Sequence, residues 1–116
     1  MVIRISQVFE LTMLGEKLSA KDAVAIGLIY AAVPAAKLVD EARSLARKLA
    51  TGPTYALGLT KRALNQSLYN DLDNQLDLER DLQGLAGDST DYKEGIAAFH
   101  EKRTPLFTGR PVRGAK

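Results

Sequence analysis

Apolar residues recur at helical intervals along most of this 116-residue chain, and nowhere does an apolar/polar alternation last long enough to lay down a strand. That periodicity leaves helices packed on helices, so the expected fold class is all-α. Local chemistry sets the boundaries. A first helix covers roughly Gln7 to Leu14 and stops at Gly15. Ser19, with Asp22 three residues on, starts a short helix that Gly27 ends in a left-handed turn. Leu28 to Val33 is too brief to found a sheet and reads as an extended connector. Pro34 then opens an amphipathic helix with Leu38, Ala42, Leu45 and Leu49 on one face, closed by Thr51, Gly52 and Pro53. The next helix runs from Pro53 to about Tyr69, with Leu57, Leu64 and Leu68 as its apolar face and Ala56, Leu59 and Ala63 extending it. From Leu72 to Leu85 the pattern puts Leu72, Leu76, Leu82 and Leu85 inward and Asp73, Asp77, Glu79 and Asp81 outward. The stretch AGDST breaks that helix, and a last one is expected from about Asp91 to Lys102, ended by Thr104 and Pro105.

A composition of 46% hydrophobic and 26% charged residues belongs to ordinary globular proteins, and the length allows one domain or a part of a larger one. Several of the helices carry wide apolar faces, more than so short a chain covers by itself. Partners are therefore expected, either the rest of a longer chain or copies of this one. The absence of cysteine excludes disulfides, thiolate catalysis and cysteine-bound zinc, and fits a reducing cytoplasm. Arg4, Gln7 and Glu10 interrupt the opening stretch before a signal core can form, and no run nears the ~20 apolar residues of a bilayer span. No membrane association is expected.

The formal net charge of +2 is small, but its distribution is uneven. Lys102, Arg103, Arg110, Arg113 and Lys116 follow His100 against the single Glu101, so residues 104–116 form a basic tail. These cations lack interleaved aromatic residues beyond Phe107, which argues against nucleic acid as a partner.

Other motifs point away from chemistry. GPTYALGLTKR suggests a phosphate loop, yet five residues separate Gly52 from Gly58 where a P-loop needs four, and Lys61 comes too late. The carboxylates from Asp71 to Asp81 fall on a solvated helix face, where nothing separates two pKa values for proton transfer. His100 has no serine, cysteine or second histidine at a catalytic or metal-binding spacing, so no catalytic or metal-ligating residue is assigned. The last helix offers more. Phe99 and Lys102 lie three residues apart with Arg103 beside them, and a ring next to a cation suits a flat base carrying phosphates. The same spacing also fits a core phenylalanine and a helix C-terminal cation.

Two longer segments resemble a known family. ELTMLGEKLSAKDAVAIGLIYAAVP, residues 10–34, is similar to the part of the crotonase superfamily (enoyl-CoA hydratases and isomerases) that follows the catalytic core. DYKEGIAAFHEKRTPLFTG, residues 91–109, resembles the family's C-terminal signature. ELTMLGEKLSAKDA, GPTYALGLTKRALN and LDLERDLQGLAG look closest to its phenylacetate-degradation branch, which includes an isomerase of the ring epoxide of phenylacetyl-CoA.

The resemblance covers nearly the whole chain and implies the C-terminal helical, trimerisation region of that fold, without the spiral of β-β-α units that supplies the oxyanion hole and the acid/base carboxylates. It further implies an enzyme of phenylacetate or fatty-acid catabolism, hydratase or isomerase, that takes an acyl-CoA thioester as substrate and needs no further cofactor. Residues 1–116 alone would then be inactive. Trimers or hexamers are the family habit, and a dimer is conceivable for these helices alone. By matching positions, Phe99 would lie against the adenine of CoA and Lys102 near its phosphates. The competing expectation is a stand-alone, non-catalytic helical oligomerisation module.

Overall fold

The computed structural model describes residues 4–111, which form six α-helices and one 3-10 turn, with no strand among them. The chain divides into two compact units, Met1–Ala42 and Arg43–Lys116, the boundary falling within a helix. The all-α expectation holds for the described residues.

In the first unit, α1 (Ile5–Leu14) begins where the Gln7 side chain accepts a 2.9 Å hydrogen bond from the N–H of Arg4, and ends at Gly15 in the left-handed region (φ +64°). α2 (Ala20–Ala25) starts as its sequence implies: Ser19 Oγ accepts from the Asp22 N–H at 3.1 Å. Its end is a Schellman turn. Leu28 N–H reaches the Ala23 carbonyl at 2.9 Å and Gly27 N–H the Val24 carbonyl at 3.0 Å, with Gly27 at φ +78°. Residues 28–33 form no strand, and a 3-10 turn (Ala35–Lys37) after Pro34 leads into α3 (Leu38–Ala50), which crosses the unit boundary.

The second unit holds the remainder of α3, then α4 (Thr54–Gln66), α5 (Leu72–Gly87) and α6 (Thr90–His100). α4 packs on α5 and α5 on α6. A side-chain amide fastens the α4–α5 corner: Gln75 donates to the Ala63 carbonyl at 3.2 Å and accepts from Asn70 Nδ2 at 3.0 Å. The Ala63 carbonyl, which already accepts the Ser67 N–H, thus gains a second partner from the next helix. α4 ends at Gln66, three residues before the expected Tyr69, because Ser67 Oγ bonds back to the Leu64 carbonyl at 2.7 Å and the chain turns there. α5 continues two residues past the expected Leu85 before Asp88 and Ser89 stop it.

The leucine faces do not all point inward. On α5, Leu82 is buried, and its burial is worth about 2 kcal/mol. Leu78 is half-buried, whereas Leu72 (71% exposed), Leu76 and Leu85 lie open. On α4 the half-buried residues are Tyr55 and, on the flank of the expected face, Ala56, Leu59 and Ala63, while Leu57 and Leu64 (66% exposed), and Leu68 just beyond the helix, are exposed. Leu38, Leu45 and Leu49 of α3 are exposed as well. Periodicity locates an apolar stripe, but the packed neighbour decides which part of a wide stripe is covered.

Candidate functional site

The site grows from the α5–α6 corner. Ser89, 1% exposed, donates from Oγ to the Ala86 carbonyl at 2.6 Å and accepts from the Tyr92 N–H at 3.1 Å. One hydroxyl therefore closes α5 and caps α6, starting α6 one residue before the expected Asp91. Asp91, 3% exposed, does not face solvent. Its Oδ1 accepts from the backbone N–H of Thr108 (2.7 Å) and from Thr108 Oγ1 (3.1 Å), and its Oδ2 from the Gly109 N–H (2.8 Å). With three donors on its two oxygens, this carboxylate is a structural anchor for the tail.

Glu94, one turn on, makes a second anchor. It receives the Arg103 guanidinium in a fork, Nη1 to Oε1 at 2.5 Å and Nη2 to Oε2 at 2.9 Å, and accepts the Leu106 N–H at 2.8 Å. The Arg103 hydrogen bonds, then the Leu106 N–H, pull its carboxyl down to about 2. Hydrogen bonds donated to Glu94 and then to Glu101 hold the Arg103 guanidinium above its usual range. Between the two anchors the Phe107 ring lies over Gly95, 3.7 Å from where a Cβ would stand. The sequence-expected tail is thus fastened to α6 as far as Gly109. Arg113 and Lys116 lie outside the described residues.

α6 ends at His100, two residues before the expected Lys102, in another Schellman turn. Arg103 N–H bonds the Ala98 carbonyl at 3.0 Å and Lys102 N–H the Phe99 carbonyl at 3.3 Å. The left-handed position that glycine fills after α2 is held here by Lys102, at φ +54°. Lys102 is therefore linked to Phe99 through the backbone of a cap and not through a shared helical face.

Phe99 is 82% exposed and borders an open groove of about 620 Å³ with Tyr92, Ile96, His100 and Phe107. The His100 ring stands edge-on to it, centroids 5.9 Å apart. Among the described residues no carboxylate lies within ion-pair distance of the Lys102 ammonium. An exposed ring can stack a planar group, and an ammonium with no described carboxylate partner can attract an anion.

The acidic face of α5 is solvated as expected. Asp71 caps the helix by accepting from the Asn74 N–H at 2.9 Å, and Arg80 bridges Asp81 and Asp77 at 2.9 and 2.7 Å, all three of those side chains exposed. Among the described residues no cluster of three metal-ligating side chains occurs, and no helix is long and apolar enough to cross a membrane. The sequence reading missed Ser89, Asp91 and Glu94 as determinants of the site. The signal available was Ser89 at a cap position and two acids within the first turns of α6.

Comparison with known proteins gives these features a setting. Residues 3–110 match the family model described as enoyl-CoA hydratase/isomerase. The chain is 54% identical over 100 residues to the 1,2-epoxyphenylacetyl-CoA isomerase of Escherichia coli (strain K12), covering 86% of this chain and 38% of that protein. It is 44% identical over 100 residues to a Rhodobacter capsulatus protein named as a probable enoyl-CoA hydratase, covering 86% and 39%. Its backbone superposes on a Geobacillus kaustophilus HTA426 enoyl-CoA hydratase with a TM-score of 0.88 at 35% identity, over 94% of this chain and 41% of the other. The chain thus spans about two fifths of the length of each relative.

Proposed function

Because the chain belongs to the enoyl-CoA hydratase/isomerase family, we propose that it serves as the C-terminal helical part of an acyl-CoA-processing enzyme, in which Phe99 and Lys102 contact the CoA moiety. The observation that supports this most is the lysine at a left-handed cap. A side chain at φ +54° costs roughly 1–2 kcal/mol relative to glycine, and such strain persists at sites that use the side chain. In this reading the Phe99 ring stacks on the adenine and the Lys102 ammonium pairs with a phosphate.

The chain itself contributes binding and assembly, not proton transfer. Asp91, the buried carboxylate of the described residues, is already occupied by the Thr108 and Gly109 donors. The open leucines of α3, α4 and α5 supply apolar surface for the remainder of such an enzyme and for further subunits. The 54% identity to the epoxyphenylacetyl-CoA isomerase favours a ring-bearing acyl-CoA of phenylacetate breakdown as the substrate of the whole enzyme, over a simple fatty enoyl-CoA.

The test is a titration of the chain with CoA at millimolar concentration, followed by backbone NMR. Shifts confined to the segment from Phe99 to Lys102, abolished by Phe99→Ala and by Lys102→Ala, are expected. A response elsewhere, or none, contradicts the assignment. Turnover of an enoyl-CoA by the purified chain would contradict its non-catalytic part.

A further inference from the structure

We propose that Glu94 is the positioning residue for Lys102, holding the strained turn that presents the lysine to a phosphate-bearing ligand. The inference rests on the reading that Lys102 meets that ligand. Lys102 is the non-glycine residue with positive φ among the described residues, in a region that a Cβ disfavours, so something must hold it there.

The hold is visible on both flanks. Glu101 and Arg103, its chain neighbours, join each other through Arg103 Nε and Glu101 Oε2 at 2.5 Å. The opposite edge of the same guanidinium is gripped by Glu94 in a planar fork, which fixes orientation as well as distance. Glu94 also takes the Leu106 N–H, so the chain is secured on the far side of Thr104 and Pro105. Glu94 and Arg103 are respectively 25% and 38% exposed at the side chain, enough shielding for the pair to hold its geometry.

Two consequences follow. Arg103, which sequence spacing places beside the ligand pair, is a strut whose guanidinium is spent on Glu94 and Glu101. The nearby acids are likewise engaged, which leaves the Lys102 ammonium free of any described carboxylate.

The experiment combines amide hydrogen exchange with CoA titration on the wild type, Glu94→Gln, Lys102→Ala and the double variant. Glu94→Gln is expected to speed exchange of the Arg103 N–H by at least about tenfold, the scale of a lost charge-assisted hydrogen bond, with the Leu82 amide unchanged. CoA affinity should fall as far as in Lys102→Ala, and the double variant should be no weaker than Lys102→Ala alone, because positioning acts only through the lysine. Arg103→Lys, which keeps the charge but not the fork, carries the same test should Glu94→Gln fail to fold. Unchanged Arg103 exchange overturns the proposal, as does a double variant weaker than Lys102→Ala. If Lys102→Ala weakens CoA binding and Glu94→Gln does not, the positioning role alone fails. If Lys102→Ala leaves CoA binding intact, the ligand reading fails and the proposal with it.

Discussion

Asp91 and Gly109, eighteen residues apart, are joined by a 2.8 Å hydrogen bond from the Gly109 N–H to Asp91 Oδ2. The same carboxylate holds Thr108 through its backbone and hydroxyl, so one buried acid at the start of α6 fixes the path of the chain beyond it. Asp91→Ala is expected to destabilise the protein by about 2–3 kcal/mol, the loss of hydrogen bonds to a charged group. Asp91→Asn should recover little, since its NH₂ would face a donor. Thermal melts measure the loss, and faster hydrogen exchange of the Thr108 and Gly109 N–H groups should accompany it. Unchanged melting would contradict the anchor.

Gly109 is required twice over. Its φ is +68°, and a Cβ placed there would run into Thr54 Oγ1 at the start of α4. Gly109→Ala should therefore lower stability by at least ~1 kcal/mol from backbone conformation alone, with more from the clash. Combining it with Thr54→Ala should restore the steric part and leave the conformational part. If the two changes simply add, the close approach is not the cause.

Glu94 gives the fold a defined acid limb. Its carboxyl titrates near 2 in the folded state against an ordinary value of 4.5, so the unfolded chain binds the proton more readily. Its contribution is full above about pH 4.5 and is lost as pH falls toward 2. Denaturant midpoints taken across that window should drop for the wild type and drop less for Glu94→Gln. Parallel curves would contradict the pair's role.

How much of this was legible in the sequence depends on the range of the interaction. Ser19 and Gly27 act within one helical turn, and their caps stand where residue chemistry puts them. The faces of α4 and α5 were legible as stripes but not as interiors, because Leu64 and Leu72 point away from the helices this chain supplies. The site was half legible. Phe99 and Lys102 stand out by type, yet the left-handed turn between α6 and the tail depends on Glu94 reaching Arg103 nine residues on and Leu106 twelve on. No local spacing encodes those contacts.

Lys102→Gly separates stability from binding. Glycine adopts φ +54° without Cβ strain, so the variant should be more stable by about 1 kcal/mol even after glycine's larger entropy loss. The same change removes the ammonium, and CoA shifts at Phe99 should weaken. A variant that is both more stable and equally good at binding CoA would show that the strained lysine serves no ligand.

The most direct measurement uses the Escherichia coli isomerase to which this chain is 54% identical. The matched 100 residues of that enzyme would be replaced by their counterparts here, and isomerase turnover compared with the parent. The expected result is an active chimera in which Lys102→Ala raises KM for the CoA thioester while kcat changes little, the pattern of a lost binding contact remote from the reacting bonds. A folded chimera without activity, or one whose KM ignores Lys102→Ala, would contradict the assignment of this chain as the CoA-contacting helical part of such an enzyme.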